Sequence, residues 1–334
     1  MDPRRLVCLA VVAVSALAAP ARADTPPTVW DSAKNRSARP DYRLHTETVE
    51  RIMVERQMPQ DGPRGAHLAR AIMELEAGNA RDSRDVRLRF DLGQAYQRAR
   101  RHKDAVDVLL PALESAPDHT AAPEAWWSLA LAAAYIEDSA LEKRAYIAFI
   151  ERTRDETARH TGRLNLAETE MRLGNLRTAI AGYEDAIGLA SQAAWSSDTY
   201  ALALWGLAVA RDRAEDPTGA LREATRALAA DPQMHRIQRD PNVFFVPAYE
   251  RLWYVGLGHM AGAAGATRPI EQLAAWESAA RTWQLYLRAA APTERWLPLA
   301  KAHLARSERE RDLAKKRVAK LPTPPPSDEQ PLIF

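Results

Sequence analysis

The sequence predicts an all-α protein, built as a solenoid of antiparallel helical hairpins. Three observations predict it. Apolar side chains recur at helical spacing: Leu88, Leu92, Ala95 and Ala99 step by four, three and four residues along one face. Small and apolar residues then return at fixed intervals. Ala105 to Ala112, Ala179 to Ala186 and Ala220 to Ala227 each span seven residues, and Leu92 to Ala105, Leu166 to Ala179 and Leu207 to Ala220 each span thirteen. Internal periodicity of this kind marks stacked supersecondary units. Finally, the chain is 46% hydrophobic and 27% charged with a formal net charge of only +2. That supplies a core and gives no single-sign field of the kind that attracts nucleic acid.

The first element is a secretory signal, expected over residues 1–23. Arg4 and Arg5 give a positive start, an apolar run follows from Leu6 to Ala19, and Ala21-Arg22-Ala23 places small residues where a signal peptidase needs them. The run is short for a bilayer core, and Pro20 follows it. Cleavage after Ala23 removes Arg4, Arg5, Arg22 and Asp2, which leaves acidic and basic side chains in equal number. It also removes Cys8, the only cysteine. The expected mature chain therefore has no disulfide, no thiolate nucleophile and no second apolar run of membrane-spanning length. It is expected to be exported, and periplasmic if the cell has two membranes, otherwise extracellular.

Residues 24–43 mix Pro, Ser and charge without a period and read as a flexible leader. Val49, Ile52, Met53 and Met58 form a rough helical stripe, and residues 66–78 a second helix ending at Gly78. One helix is expected over residues 84–100 and another over 102–115, stopped by Pro117. Gly93 lies inside the first of these, where it costs roughly 1 kcal/mol relative to Ala. A neighbouring helix passing very close explains the cost. Later, Leu257-Gly258 repeats the small-residue step, and the glycine-rich stretch 256–269 reads as a loop between two helices. Residues 294–320 form a long last helix, increasingly charged after Ala305, that suits an end cap. Residues 319–334 are a Pro-rich tail expected to be disordered.

These residues resemble the tetratricopeptide repeat, a helix-turn-helix unit of about 34 residues. In the unit 86–119, Leu92-Gly93, Tyr96, Ala105, Ala112 and Pro117 stand on the repeat's characteristic places, with Leu109 where an aromatic is common. Units 160–193 and 201–234 match less fully. A divergent unit begins near Pro123, with Glu142 where a small residue is expected. The resemblance extends to an exported bacterial type. It implies a right-handed superhelix over residues 44–318 with a concave, ligand-binding groove lined by the first helix of each unit.

Residue by residue, the resemblance places Phe90, Gln94 and Arg98 in that groove from the clearest unit, and Trp127, Leu131 and Tyr135 from the divergent one. It adds Leu164, Glu168 and Arg172 from the third, and Trp205, Val209 and Arg213 from the fourth. Phe90, Trp127, Leu164 and Trp205 share one place in successive units, which implies an apolar track unless the N-terminal segment or the irregular units cover it. The Lys/Asn pattern that clamps a peptide carboxylate in some members is missing, so an extended or helical apolar segment is the expected ligand.

Catalytic motifs are not found. The eight histidines are scattered, without metal-ligand spacing. Gly-x-Ser-x-Gly is missing, and Glu168 and Glu170, two residues apart, point to different sides of a helix. The basic run Arg98 to Lys103 is interrupted by Asp104 and lacks interleaved aromatics, so it reads as a solvated turn. The sequence therefore predicts a non-enzymatic protein–protein interaction scaffold in a bacterial cell-envelope assembly. It is expected to need no cofactor or metal, to bind no nucleic acid, and to partner with another envelope protein or peptide segment. The alternative is a substrate-recruiting or accessory subunit of an envelope enzyme or transport system.

Overall fold

A computed structural model describes residues 63–190, 197–240 and 243–321. The expected signal, leader and first helical stripe, and nearly all of the Pro-rich tail, lie outside them. The described residues form helices and turns without a strand. A first helix α1 (Pro63–Ala77) leads into a 3-10 turn, Ala80–Asp82. Four hairpins follow: α2 (Val86–Arg98) with α3 (His102–Ser115), α4 (Ala122–Tyr135) with α5 (Ser139–Arg152), α6 (Glu156–Arg172) with α7 (Leu176–Ala190), and α8 (Ser197–Arg213) with α9 (Pro217–Ala230). A short helix α10 (His235–Arg239) precedes the irregular segment 243–249. The fifth hairpin pairs α11 (Glu250–Gly265) with α12 (Pro269–Ala289), and α13 (Leu297–Val318) packs on α12. Each hairpin also packs on the next, so the architecture is the expected solenoid of helical hairpins.

Local chemistry sets the helix ends. Asp85, Asp138, Asp155 and Asp216 cap α2, α5, α6 and α9, each carboxylate accepting a backbone N–H of the first turn. The Asp155 cap starts α6 four residues before the expected unit boundary at His160. The turn inside each of the first four hairpins has one geometry. Arg100, Glu137, Gly174 and Glu215 adopt positive φ of 60°, 62°, 82° and 62°. The next residue then donates its N–H to the carbonyl five positions back: Arg101 to Tyr96, Asp138 to Ala133, Asn175 to Glu170 and Asp216 to Arg211. This is the helix-ending bond pattern that glycine usually serves, here made mostly by charged residues.

The helices cross where small residues permit. A Cβ on Gly93 would lie 2.5 Å from Leu109 Cδ2, so α3 rests directly on the α2 backbone. A Cβ on Gly256 would lie 2.7 Å from the Trp283 ring, and one on Gly258 3.0 Å from Trp205. The glycine-rich stretch after Val255 is thus not the expected loop. It is helical through Gly265, because these contacts reward a backbone that a side chain would hold away.

The core divides in two. One cluster joins α1 to the first two hairpins, and the other joins α6 to α13. Their seam, between α5 and α6, is polar. Glu142, where a small residue was expected, is 4% exposed. It accepts a hydrogen bond from Thr169 Oγ1 at 2.9 Å and pairs with Arg172. Lys143 pairs with Glu170 at 2.8 Å, and Asn165 donates to the Tyr146 hydroxyl at 3.1 Å.

The C-terminal end is locked by a second polar set. Asp212 Oδ2 accepts from Trp253 Nε1 and bonds His303 Nε2, both at 2.9 Å, and the His303 ring stacks on Trp283. His303 is buried in the core, in a structural position. These contacts fasten α13 to α8 through α11 and α12.

Two alanine substitutions should act in opposite directions. Gly93→Ala drives a methyl into Leu109 and is expected to cost about 1–2 kcal/mol, overpacking outweighing the helix-propensity gain. Gly188→Ala on α7 meets open space and should stabilise by about 0.5–1 kcal/mol. Urea unfolding of the two variants against wild type measures both signs. Equal effects would remove the close-contact explanation.

Candidate binding groove

First helices of neighbouring hairpins touch, α2 with α4, α6 with α8 and α8 with α11, so they face the inside of the curve; α4 and α6 stand further apart. On each, the predicted groove residues stand four apart and form one stripe. The stripes differ in accessibility. On α4, Trp127, Leu131 and Tyr135 are all half-buried. On α6, Leu164 is buried, whereas Glu168 and Arg172 are half-buried. On α2, Phe90 and Gln94 are buried and only Arg98 is exposed. On α8, Trp205, Val209 and Arg213 are all buried.

An apolar track through Phe90, Trp127, Leu164 and Trp205 is therefore not on the surface. Phe90 is 0% exposed and meets the His119 ring edge-on at 5.7 Å. Trp205 is covered by α11 at Gly258. Trp127 packs against Tyr146 and Phe149 of its own hairpin at 5.7 and 5.0 Å. Apart from exposed Arg98 on α2, the accessible residues of the predicted stripe lie on α4 and α6.

That stripe carries an occupant from the same chain. Residues 243–249 leave the fourth hairpin as an irregular strap and cross back over the earlier ones. Phe244 stacks on Tyr135 at 4.8 Å and 12°, and Tyr135 stacks in turn on His102 at 4.3 Å and 6°. The Val246 carbonyl accepts from Arg172 Nη1 at 3.2 Å. Phe245 points the other way, buried against Tyr254 with Arg251 over its ring. The loop before α13 reaches the same side: Tyr249 donates to Glu294 at 2.9 Å, and the Arg295 guanidinium covers the Gly174 turn. No periodic signal marks the strap in the sequence. The unbroken apolar run Val243–Val246 between Pro241-Asn242 and Pro247 is the one sign of it.

Beneath the strap lie charges. Arg213 pairs with Glu250 at 2.5 Å, lies under the Trp253 ring at 4.7 Å, and leaves its buried Nε without a partner. Glu250 also accepts from the Tyr286 hydroxyl at 3.4 Å. Arg213, expected in the groove, thus ties α8 to α11 instead. Burial lowers the Arg172 pKa, with nearby carboxylates and tyrosines opposing it. Burial pushes the Glu168 carboxyl up to about 7; repulsion from Glu250 adds to the shift and attraction to Arg213 opposes it. Beside it, burial raises the Tyr183 and Tyr254 hydroxyls well above their ordinary value, and both stay protonated. Burial and the charge of Arg100 hold His102 down to about 4, so its ring stacks on Tyr135 in the neutral form. Among the described residues, no group of three or more His, Cys, Asp or Glu side chains is placed to hold a metal ion. No helix among them is long and apolar enough to cross a membrane.

No family model matches the chain, and no curated protein matches it. Solved structures do. A tetratricopeptide repeat protein from Parabacteroides merdae is 11% identical over 84% of this chain and 99% of its own, with a TM-score of 0.44. PilW, a widely conserved type IV pilus biogenesis factor, is 16% identical over 65% of this chain and 98% of its own, with a TM-score of 0.37. MamA MSR-1 C2 is 17% identical over 55% and 98%, with a TM-score of 0.43. The hairpin geometry itself makes this chain an all-α helical-repeat solenoid resembling tetratricopeptide-repeat folds.

Glu168 gives a pH test. Its folded pKa lies above the ordinary 4.5, so the folded state holds its proton more tightly than the unfolded chain. Its contribution to stability is fully present below about pH 4.5 and is lost as pH rises through about 7. Glu168→Gln should therefore gain stability over wild type as pH rises from 5 to 8, by on the order of 2 kcal/mol after allowance for its partial exposure. Paired urea melts at the two pH values measure this. A wild-type-to-variant difference that does not change with pH would refute the assignment.

Proposed function

We propose that the protein is a non-catalytic scaffold that holds an extended segment of another protein on the concave stripe of α4 and α6. One observation carries this reading: that stripe already holds an irregular segment, residues 243–249, by an aromatic stack on Tyr135 and a hydrogen bond from Arg172 to its backbone. Recognition of this kind needs only a ring platform and a fixed donor. It is shape-matched contact without bond chemistry. The signal-like residues 1–23 support an exported protein serving a bacterial cell-envelope assembly, periplasmic where the cell has two membranes.

A photo-crosslinking residue placed at Leu131 on the stripe, compared with one at exposed Arg222 on α9, tests the scaffold reading in the native cell. The expected outcome is a defined crosslinked protein from position 131 and background from position 222. Equal capture from both positions would sink it. N-terminal sequencing of the purified protein tests export separately, with Asp24 expected as the first residue and Met1 the contrary result.

A further inference from the structure

The strap is anchored toward its C-terminal end and latched at two points before it. Phe245, 8% exposed and packed on Tyr254 of α11, and Tyr249, bonded to Glu294 and edge-on to the Tyr286 ring, are its anchors. Phe244 and Val246 are the latches, on Tyr135 of the second hairpin and Arg172 of the third. Between anchor and latches the segment has no regular secondary structure, and Val243, Phe244, Val246, Pro247 and Tyr249 are all half-buried, not sealed. Its backbone hydrogen bonds to Asp240 and from Glu250 are local to the strap and its flanks. Val243 and Tyr249 pack on the C-terminal core, so the part that can open at low cost compared with the whole fold is the half-buried latch at Phe244 and Val246, where backbone–backbone bonding is local.

The wall beneath the latches is built independently of the strap. His102 holds the Tyr135 ring from its other face, and Glu142 with Thr169 holds Arg172 from the polar seam. When the strap lifts, a flat aromatic face and a guanidinium N–H stay in position, aimed at an extended chain.

We propose that residues 243–249 are an internal occupant of the groove, and that the partner is an extended segment of the same chemistry, an aromatic side chain followed two residues later by a free backbone carbonyl, which binds by displacing the Phe244 and Val246 latches. This rests on the scaffold reading above and adds both the ligand class and the control. The latched state lowers apparent affinity by the fraction of molecules that are open. Weakening the latch without touching the wall therefore strengthens partner binding, the reverse of what loss of a binding residue does.

The test uses the full chain and a fluorescent peptide of sequence VFFVPAY, copied from residues 243–249, with anisotropy as the readout. Phe244→Ala in the protein is expected to bind the peptide about tenfold or more tighter than wild type. A peptide with its first Phe replaced by Ala should bind weakly to both. Tyr135→Leu, which keeps bulk but loses the stack, should abolish the gain when added to Phe244→Ala, with thermal melts confirming that the double variant is folded. Equal affinity of wild type and Phe244→Ala, both lost with Tyr135→Leu, would overturn the internal-occupant proposal and leave the groove reading standing. Unchanged affinity on Tyr135→Leu, or no peptide binding to any folded variant, would overturn the groove reading as well. A wild-type dimer that becomes monomeric on Phe244→Ala would show that a second copy's strap fills the groove, and would overturn the intramolecular latch.

Discussion

The close approach of helices at small residues is the constraint from which the rest of the structure follows. Leu109 lies on the bare backbone of Gly93, and Tyr183 lies in the same way on Gly206. Ala105, Ala167, Ala179, Ala208 and Ala220 are fully or almost fully buried at the equivalent crossings. Side chains of ordinary size would separate the axes, and stacked hairpins would then leave voids that cost stability in proportion to their volume. The shared left-handed turn complements this packing. Arg100, Glu137 and Glu215 accept a conformation that disfavours side chains, because the turn sets the two helices of a hairpin in position for their small residues to meet.

The exception at Glu142 shows what happens where the constraint is relaxed. A carboxylate at a small-residue position cannot be buried alone, and it is paired with Arg172 and bonded by Thr169. The arginine so fixed is the one that holds the Val246 carbonyl. The departure from the repeat thus creates both the polar seam between the two cores and the fixed donor on the concave wall. The same logic holds at the C-terminal end. Asp212 and Arg213 are buried polar residues of α8, and they are paired by Trp253 and Glu250 of the next hairpin's first helix and by His303 of α13.

These facts explain what was legible in the sequence. Period and spacing report contacts within a hairpin, so the helices, the thirteen-residue step and the Gly93 contact could be read directly. The turn at Arg100 was legible as a break between two helical periods; the left-handed geometry that it shares with Glu137 and Glu215 was not, because charged residues do not announce a positive φ. The groove stripe was read by assuming that every unit presents the same face. Phe90 and Trp205 occupy the predicted register, yet neighbouring elements cover them. Contacts across long sequence separation, such as His303 with Asp212 or Val246 with Arg172, leave no periodic trace. A buried polar pair looks in sequence like two surface residues.

The strap brings these threads together. It spans the polar seam, with Phe244 on the side of the first core and Val246 on the second. A permanent staple there would be expected to bury its side chains and bond its backbone to both halves. Of this strap only Phe245 is buried, on its own half, and the contacts that cross the seam include the Phe244 ring on Tyr135 and the Val246 carbonyl on Arg172. Two contacts of that kind, an aromatic stack of about 0.5–1.5 kcal/mol and a charge-assisted hydrogen bond of about 1.5–3 kcal/mol, hold a closed state against an open one without making it irreversible. The wall needs His102, Glu142 and Thr169 to stay in shape, and they hold it from the side away from the strap, on Tyr135 and Arg172. A rigid wall with a weakly latched cover places the energetic control of binding in the cover. It follows that changes in Phe244 and changes in Tyr135 act on affinity with opposite signs, although the two rings form a single stack.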